Sequence, residues 1–212
     1  MNCNDLISLN DVKKIYTFSI LGSDLTKVKP CIKKERCIDS RCPDKGTEHT
    51  PSAIQNSKEI WIDLYAENIP TLLQHCCIVN EYCFSSIGQK VVIIQGITLD
   101  ERFRGDGILY TMLKRQKQFY RKESFSRIIL TATNSGLIVW YRLGFKYAQK
   151  RDELKIIKSL NEYLQEIHGE RQRYKSIMDV SSKLLYGNSQ KEDFTDWLIR
   201  HNIDHIKMIM EL

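Results

Sequence analysis

The segment "ITLDERFRGDGILYTMLK", residues 97–114, constrains the fold of this chain more than any other. A strongly apolar run ends at Leu99, and a run with the apolar spacing of a helix begins at Ile108. Gly105 and Gly107 lie between them, in a chain that has only ten glycines. Because the free N–H groups of a helix's first turn converge and its dipole favours negative charge, this pattern predicts an anion site. A plain strand-to-helix turn is the alternative.

Two common phosphate-binding motifs are absent from this segment. It contains no G-x-x-x-x-G-K-[ST], and "RGDG" lacks the third glycine of G-x-G-x-x-G. Arg104 adds a positive charge beside the glycines. The segment therefore points to a phosphate site of a different kind.

Composition and charge limit the class of protein. A chain of 212 residues with 42% hydrophobic residues can bury one substantial core. No apolar run approaches the roughly 18–20 residues of a membrane span, and the first residues lack a secretory pattern, so we expect a cytoplasmic protein without a membrane partner. Residues 1–150 carry 22 basic and 15 acidic side chains, which suits a polyphosphate cofactor or nucleic acid.

The seven cysteines allow a second hypothesis. An odd number without a secretion signal argues against a disulfide framework. Cys31, Cys37, Cys42 and His49 could close a tetrahedral zinc site, although no paired C-x-x-C supports one. We expect no metal there and interpret Cys76, Cys77 and Cys83, which have apolar neighbours, as core thiols.

The apolar periodicity predicts alternating strands and helices up to about residue 150. The predicted elements are a strand over 13–20, a connection over 21–58, a strand in "EIWIDLYA", a helix in "IPTLLQHCCIV", a hairpin over 81–99, a helix from Ile108, a strand in "SRIILTAT", a short helix in "NSGLIVWYRL" and a strand at "FKYA". Residues 151–212 have helical spacing and predict two or three helices. We therefore divide the chain into domains 1–150 and 151–212.

A second segment, "NSGLIVWYRLGF", follows the strand after the predicted anion site. Its Asn134, Tyr141, Gly144 and Phe145 have the spacing N-x6-Y-x-x-G-F. Together with Arg104 to Leu109, this segment resembles the GNAT acetyltransferase superfamily, whose cofactor motif is Q/R-x-x-G-x-G/A and whose next motif is N-x-x-A-x-x-x-Y-x-x-x-G-F. The resemblance covers residues 81–148 closely. Leu109 and Leu137 depart from it, because the family has small residues there, and two residues separate Tyr141 from Gly144 where the family motif has three.

The resemblance implies an α/β (α+β) fold with a mixed, mostly antiparallel twisted sheet flanked by helices, here with a helical C-terminal extension. It implies acetyl-CoA as co-substrate, with Tyr141 as the general acid that protonates the CoA sulfur. The backbone of Ile97, Thr98 and Leu99 would bind the pantetheine arm, and Asn134 would hold that arm. The residues that would surround the pyrophosphate are Arg104, Gly105, Asp106, Gly107, Ile108 and Leu109.

Three functions follow as hypotheses. The first is an N-acetyltransferase that transfers acetyl from acetyl-CoA to a primary amine of an unidentified acceptor, with no nucleic-acid partner. The second is a catalytically impaired CoA-binding or regulatory module, because of Leu109 and Leu137. The third is a zinc-stabilised nucleic-acid binder that uses the lysines between Lys27 and Lys34.

Two further points stay open at the level of the sequence. The general base is not identified among Asp63, Gln95, Asp100 and Glu101. The tail beyond residue 150 packs on the core or, alternatively, forms a homodimer interface.

Overall fold

A computed structural model describes most of the chain. The described residues are 6–20, 26–40, 55–66, 76–85, 87–99, 107–133, 136–186 and 192–212. Their strands are β1 (Phe18–Ile20), β2 (Thr26–Ser40), β3 (Gln55–Ala66), β4 (Cys77–Phe84), β5 (Lys90–Thr98), β6 (Phe125–Ala132), β7 (Lys146–Tyr147) and β8 (Ile206–Glu211). Their α-helices are α1 (Leu9–Tyr16), α2 (Ile108–Lys122), α3 (Gly136–Arg142), α4 (Lys150–His168), α5 (Ser182–Leu185) and α6 (Phe194–Arg200).

The chain divides into two compact units. The first unit comprises residues 1–129 with 211–212, and the second comprises 130–210. In the first unit neighbouring strands follow the order β1-β2-β3-β4-β5-β6. The four pairings from β1 to β5 are antiparallel. The predicted mixed α/β class with a mostly antiparallel sheet is therefore confirmed.

Strand β3 illustrates how the first unit builds its core. Ile60, Ile62 and Leu64 are fully buried, whereas Trp61 between them is exposed. This alternation is the period-two signature that predicted a strand here. Helix α2 adds a buried stripe at helical spacing, which consists of Ile108, Met112, Leu113, Gln116 and Tyr120.

A buried tyrosine cluster lies in this core, formed by Tyr16, Asn80, Tyr82, Gln116 and Tyr120. The Tyr16 hydroxyl accepts hydrogen bonds from Asn80 Nδ2 and, at 2.6 Å, from Gln116 Nε2. Tyr82 and Tyr120 share a hydrogen bond between their hydroxyls at 3.1 Å. Every tyrosine hydroxyl in the cluster therefore has a partner inside the protein, as buried polar groups require.

In the second unit, the last two strands pair although they are distant in sequence. Lys146 and Tyr147 of β7 lie opposite Ile209 and Met208 of β8 in an antiparallel pair. Helices α4, α5 and α6 fall between these two strands in the sequence. The second unit is thus a β-pair with a helical insertion, and α4 ends at Gly169, whose φ is +66°.

Several predicted elements are confirmed. The β4–β5 hairpin turns at Gly88, the helix from Ile108 is α2, and the strand after it is β6. The short helix before Gly144 is α3, and "FKYA" contains β7.

The predicted strand over 13–20 is wrong for most of its length. Residues up to Tyr16 form α1, because Ser8 accepts a hydrogen bond from Asp11 N as its N-cap. Only Phe18–Ile20 is a strand. Ile15 and Tyr16, two of the residues that favoured a strand, lie on the buried face of this helix.

Three further predictions need correction. The connection over 21–58 contains the whole of β2, which runs for 15 residues beside β3. In the predicted helix "IPTLLQHCCIV", Cys77–Val79 belongs to β4, and residues 69–75 lie outside the described ones. The helical tail ends in a strand, β8, because Ile206, Met208 and Met210 are buried with period two. Within the described ranges, the helices are too short or too polar to cross a membrane.

Candidate active site

The end of β5 carries the first group of predicted cofactor residues. Ile97 and Thr98 lie opposite Ile78 and Cys77 of β4. Successive residues of a strand direct their N–H and C=O groups to opposite sides, so one of the two points its backbone away from β4. Strand β6 is the neighbour of β5 on that side, so the backbone groups that would serve an amide-containing arm are those at the strand end that β6 does not pair.

A β-bulge lies immediately before this strand end. Ile94 lies opposite Asn80 and Gly96 opposite Val79, which leaves Gln95 as the extra residue on β5. Gln95 Nε2 donates a hydrogen bond of 2.5 Å to Glu81 Oε2. Bulges bend a strand and redirect its side chains, so the one here changes the course of β5 just before Ile97.

Glu81 is a residue that the sequence analysis missed. It is only 3% exposed, although it is a carboxylate within an otherwise apolar strand. The signal was present in "CIVNEYCF", where Asn80 and Glu81 interrupt both faces of a buried strand. A buried carboxylate beside a bulge can accept a proton or orient a neighbouring donor.

The second group of predicted cofactor residues begins α2. Gly107 is the N-cap of α2 and has φ +73°, the left-handed conformation that favours glycine. Among the described residues no side chain caps this helix, and its first turn contains no acidic residue. The N–H groups of Ile108 and Leu109 therefore belong to an uncapped first turn whose dipole favours an anion.

Space is not the reason for glycine at position 107. A Cβ built on Gly107 would have nothing within 4 Å. The positive φ is the constraint, because an L-residue with a side chain adopts it at a cost of about 1 kcal/mol or more. Leu109 is half-buried on the same turn.

Several predicted site residues lie outside the described part of the chain. They are Asp100, Glu101, Arg104, Gly105, Asp106 and Asn134. For these residues the assignments remain predictions.

The "LGF" that follows α3 is a helix-ending turn. Gly144 has φ +96°, and its N–H donates to the carbonyl of Tyr141 at 3.0 Å. Phe145 N–H donates to the carbonyl of Trp140 at 3.0 Å, and the Phe145 ring packs against Trp140 at 5.3 Å. This is a glycine C-cap with its hydrophobic contact, and it fixes the C-terminal end of the helix that carries Tyr141.

Tyr141 is half-buried rather than enclosed in the core. Its hydroxyl lies 3.3 Å from Ser176 Oγ, within hydrogen-bond distance. Its ring stacks on Tyr147, with centroids 5.2 Å apart and planes at 22°. Ser176 Oγ also accepts from Met178 N–H at 3.1 Å, so it is held in place by the start of the short 3-10 helix Ile177–Asp179.

A cavity of about 420 Å³ lies beside Tyr141, within the second unit. Its volume is in the range of small-molecule sites. The lining residues are Tyr141, Lys146, Tyr147, Lys150 and Glu153. Burial raises the pKa of Tyr147, and the neighbouring Tyr141 and Glu153 raise it further.

The cysteine hypothesis has limited support. Cys31 is a free thiol, whereas Cys37 is disulfide-bonded, so its sulfur is not a thiolate ligand. Cys42 and His49 lie outside the described residues. Among the residues that are described, no three His, Cys, Asp or Glu side chains form a metal-binding group.

The other cysteine prediction concerned core thiols. Cys76 and Cys83 are buried, and Cys77 is half-buried. Burial raises the pKa of Cys76 to about 12, which keeps this thiol protonated and inert.

Comparisons with known proteins give a distant likeness. No family model matches the chain, and no curated protein matches it. Among solved structures, the chain is similar to the NatC complex bound to Gag peptide and CoA, with 13% identity, a TM-score of 0.40 and coverage of 72% of this chain and 70% of that one.

Two further solved structures are similar. A GNAT family acetyltransferase from Elizabethkingia anophelis with acetyl-CoA bound shares 16% identity, with a TM-score of 0.35 and coverage of 74% and 76%. Nourseothricin acetyltransferase shares 12% identity, with a TM-score of 0.37 and coverage of 97% and 95%. These neighbours are GNAT acetyltransferases, the superfamily that the two motifs resemble. At TM-scores below 0.5 the likeness carries no argument about function, which has to be argued from the residues themselves.

Proposed function

We propose that this chain is an N-acetyltransferase that transfers the acetyl group of acetyl-CoA to a primary amine. The observation that carries the proposal is the left-handed Gly107 at the start of α2, followed by an uncapped first turn without a carboxylate. An anion of the size of a pyrophosphate matches the convergent N–H groups of such a turn. The order of the two motifs, with β6 between them, supports the same proposal.

The described residues fit the proposed co-substrate at two points. Backbone groups at Ile97 and Thr98 would bind its amide-containing arm, and the N–H groups of Ile108 and Leu109 would bind its phosphates. Both contacts use the backbone. The unusual leucine at position 109 therefore leaves the donors in place, and Leu137, which is fully buried, fills core space rather than a binding surface.

The proposed reaction is a direct transfer. The neutral amine nitrogen attacks the thioester carbonyl carbon, the C–N bond forms, and the C–S bond breaks as the tetrahedral intermediate collapses. The attacking nitrogen loses one proton, to solvent water, and the thiolate that leaves gains one. We assign that proton to the Tyr141 hydroxyl on the basis of its motif position, and Ser176, within hydrogen-bond distance, holds the hydroxyl in place.

A matched pair of glycines tests the cofactor role. Gly88 has φ +76° and Gly107 has φ +73°, and a Cβ would meet nothing within 4 Å at either position. Gly107→Ala and Gly88→Ala should therefore lower the free energy of unfolding by similar amounts, about 1 kcal/mol each. Only Gly107→Ala should weaken CoA binding in calorimetry, because only Gly107 begins α2.

The outcomes separate the hypotheses. Equal CoA affinity in both variants would remove the Gly107 turn from the cofactor site. Binding of CoA by the wild type without any acetylated product, in a screen of polyamines, aminoglycosides, amino acids and lysine peptides, would favour the regulatory module.

A further inference from the structure

We propose that the cavity beside Tyr141 is an anion site that binds a carboxylate or phosphate group of a substrate. The cavity is lined within the second unit by residues of α3, β7 and α4. Its volume of about 420 Å³ accommodates a small acidic molecule or the end of a larger one. Neither motif of the resemblance accounts for its lysines.

Two unpaired donors lie at this cavity. The Tyr147 hydroxyl is a buried atom without a hydrogen-bond partner in the structure as described. Lys146, the residue before it, is exposed and has neither an ion pair nor a hydrogen bond within the described ranges. The Tyr147 hydroxyl has almost no accessible surface, so an anion would accept its proton only where the lining opens beside it, whereas the exposed Lys146 is open to a ligand.

Helix α4 contributes a third donor group. Its N-cap residue, Gln149, provides no side-chain cap, although the helix runs for 19 residues. The N-terminal end of such a helix carries partial positive charge, which Asp152 and Glu153 in its first turn offset in part. Lys150, at its first position, also lines the cavity.

The one carboxylate in the lining, Glu153, does not reverse this preference. Its Oε2 lies 2.7 Å from Lys150 Nζ, so the pair is internally neutralised. The charge of Lys146 is left over, so the lining has a net positive charge. An anion is therefore favoured over an amine at this wall.

If the proposed function holds, the anionic group that binds in the cavity comes from one of two molecules. Only this assignment to a molecule rests on the proposed function. The acid group belongs to the acceptor, as in an amino acid or a phosphorylated amine, or it belongs to the phosphates of CoA. The chemistry at the cavity is the same for both. A Lys146 variant distinguishes them without any turnover.

The experiment is a titration with inorganic phosphate, followed by the backbone amide signals of residues 150–153 in NMR spectra. Wild type should give saturable shifts. Lys146→Met should weaken phosphate affinity about tenfold or more, because the variant loses a charge-assisted hydrogen bond to the anion. Tyr147→Phe should weaken it less. Lys155→Met, an exposed lysine of α4 outside the cavity, is the control and should bind as wild type does.

Equal phosphate affinity in Lys146→Met and Lys155→Met, or no saturable shift in wild type, overturns the anion site. CoA and dephospho-CoA then locate the group. A loss of CoA affinity in Lys146→Met assigns the anion to the cofactor: to its 3′-phosphate if dephospho-CoA shows no loss, and to its pyrophosphate if dephospho-CoA shows the same loss. Unchanged affinity for both compounds assigns the anion to the acceptor. If the wild type binds phosphate at this cavity but acetylates no amine, the anion site stands and the proposed function is rejected.

Discussion

The two tyrosine groups of this protein differ in where their hydroxyls find partners. In the buried tyrosine cluster of the first unit, Tyr16, Tyr82 and Tyr120 hydrogen-bond to one another or to the amides of Asn80 and Gln116. In the second unit, Tyr141 lies within hydrogen-bond distance of a serine and lines a cavity, and the Tyr147 hydroxyl has no partner among the described residues.

This difference indicates which tyrosine hydroxyls stabilise the fold and which are available to a ligand. A hydroxyl whose partners are internal adds to stability and has little left to offer a ligand. A hydroxyl beside a cavity, or one left unpaired, costs stability unless something binds there. We therefore expect substitutions in the first cluster to change the free energy of unfolding, and those in the second to change activity or ligand affinity.

The largest expected effect is on turnover. Tyr141→Phe should lower kcat about 100-fold or more, because a general acid contributes roughly 10²–10⁴ in rate. CoA affinity should stay within about twofold, since the ring and its stacking on Tyr147 remain. Acetyl-CoA consumption and calorimetry measure the two quantities. Tyr82→Phe is the control, and equal kcat values in the two variants would contradict the catalytic role of Tyr141.

The next effect is on stability and has opposite signs in the two groups. Tyr120→Phe removes a hydroxyl that is 3.1 Å from the Tyr82 hydroxyl and should lower the free energy of unfolding by about 1–2 kcal/mol. Tyr147→Phe removes an unpaired buried hydroxyl and should leave that free energy unchanged or raise it. Urea unfolding measures both, and similar losses in the two variants would refute the distinction.

The sequence predicted the elements whose signal is local. Helix α2 has a complete helical periodicity, strand β5 contains a continuous apolar run, and Gly107 lies between the two. The mistaken elements depend on partners elsewhere. The six residues of β8 are too few to reveal a strand before β7 is known. The polar residues of β2 conceal a strand that pairs with β3 from Val28 to Ser40.

The candidate site follows the same division. Tyr141 is recognisable because its motif lies within twelve consecutive residues. The roles of Glu81 and of the cavity are not recognisable from the sequence. The burial of the Glu81 carboxylate and the proximity of Lys146 to α4 depend on the tertiary structure. The spacing of residues in the sequence shows which residues are neighbours along the chain. It does not show which polar groups lack a hydrogen-bond partner in the folded protein.

The smallest expected effect is a pH dependence of the first cluster. Burial, followed by the neighbouring Tyr16 and Tyr82, raises the pKa of Tyr120 well above its ordinary value near 10. The folded state therefore keeps this proton while the unfolded state releases it, so the free energy of unfolding falls as the pH rises above about 10. Each such tyrosine contributes a slope of at most about 1.4 kcal/mol per pH unit.

Tyr120→Phe lacks this contribution, since phenylalanine does not titrate. The stability advantage of wild type over Tyr120→Phe should therefore shrink between roughly pH 10 and pH 11, as measured by urea unfolding at each pH. An advantage that stays constant over this range would mean that the Tyr120 phenol ionises alike in both states. Burial would then not distinguish the phenols of this cluster from the tyrosines beside the cavity.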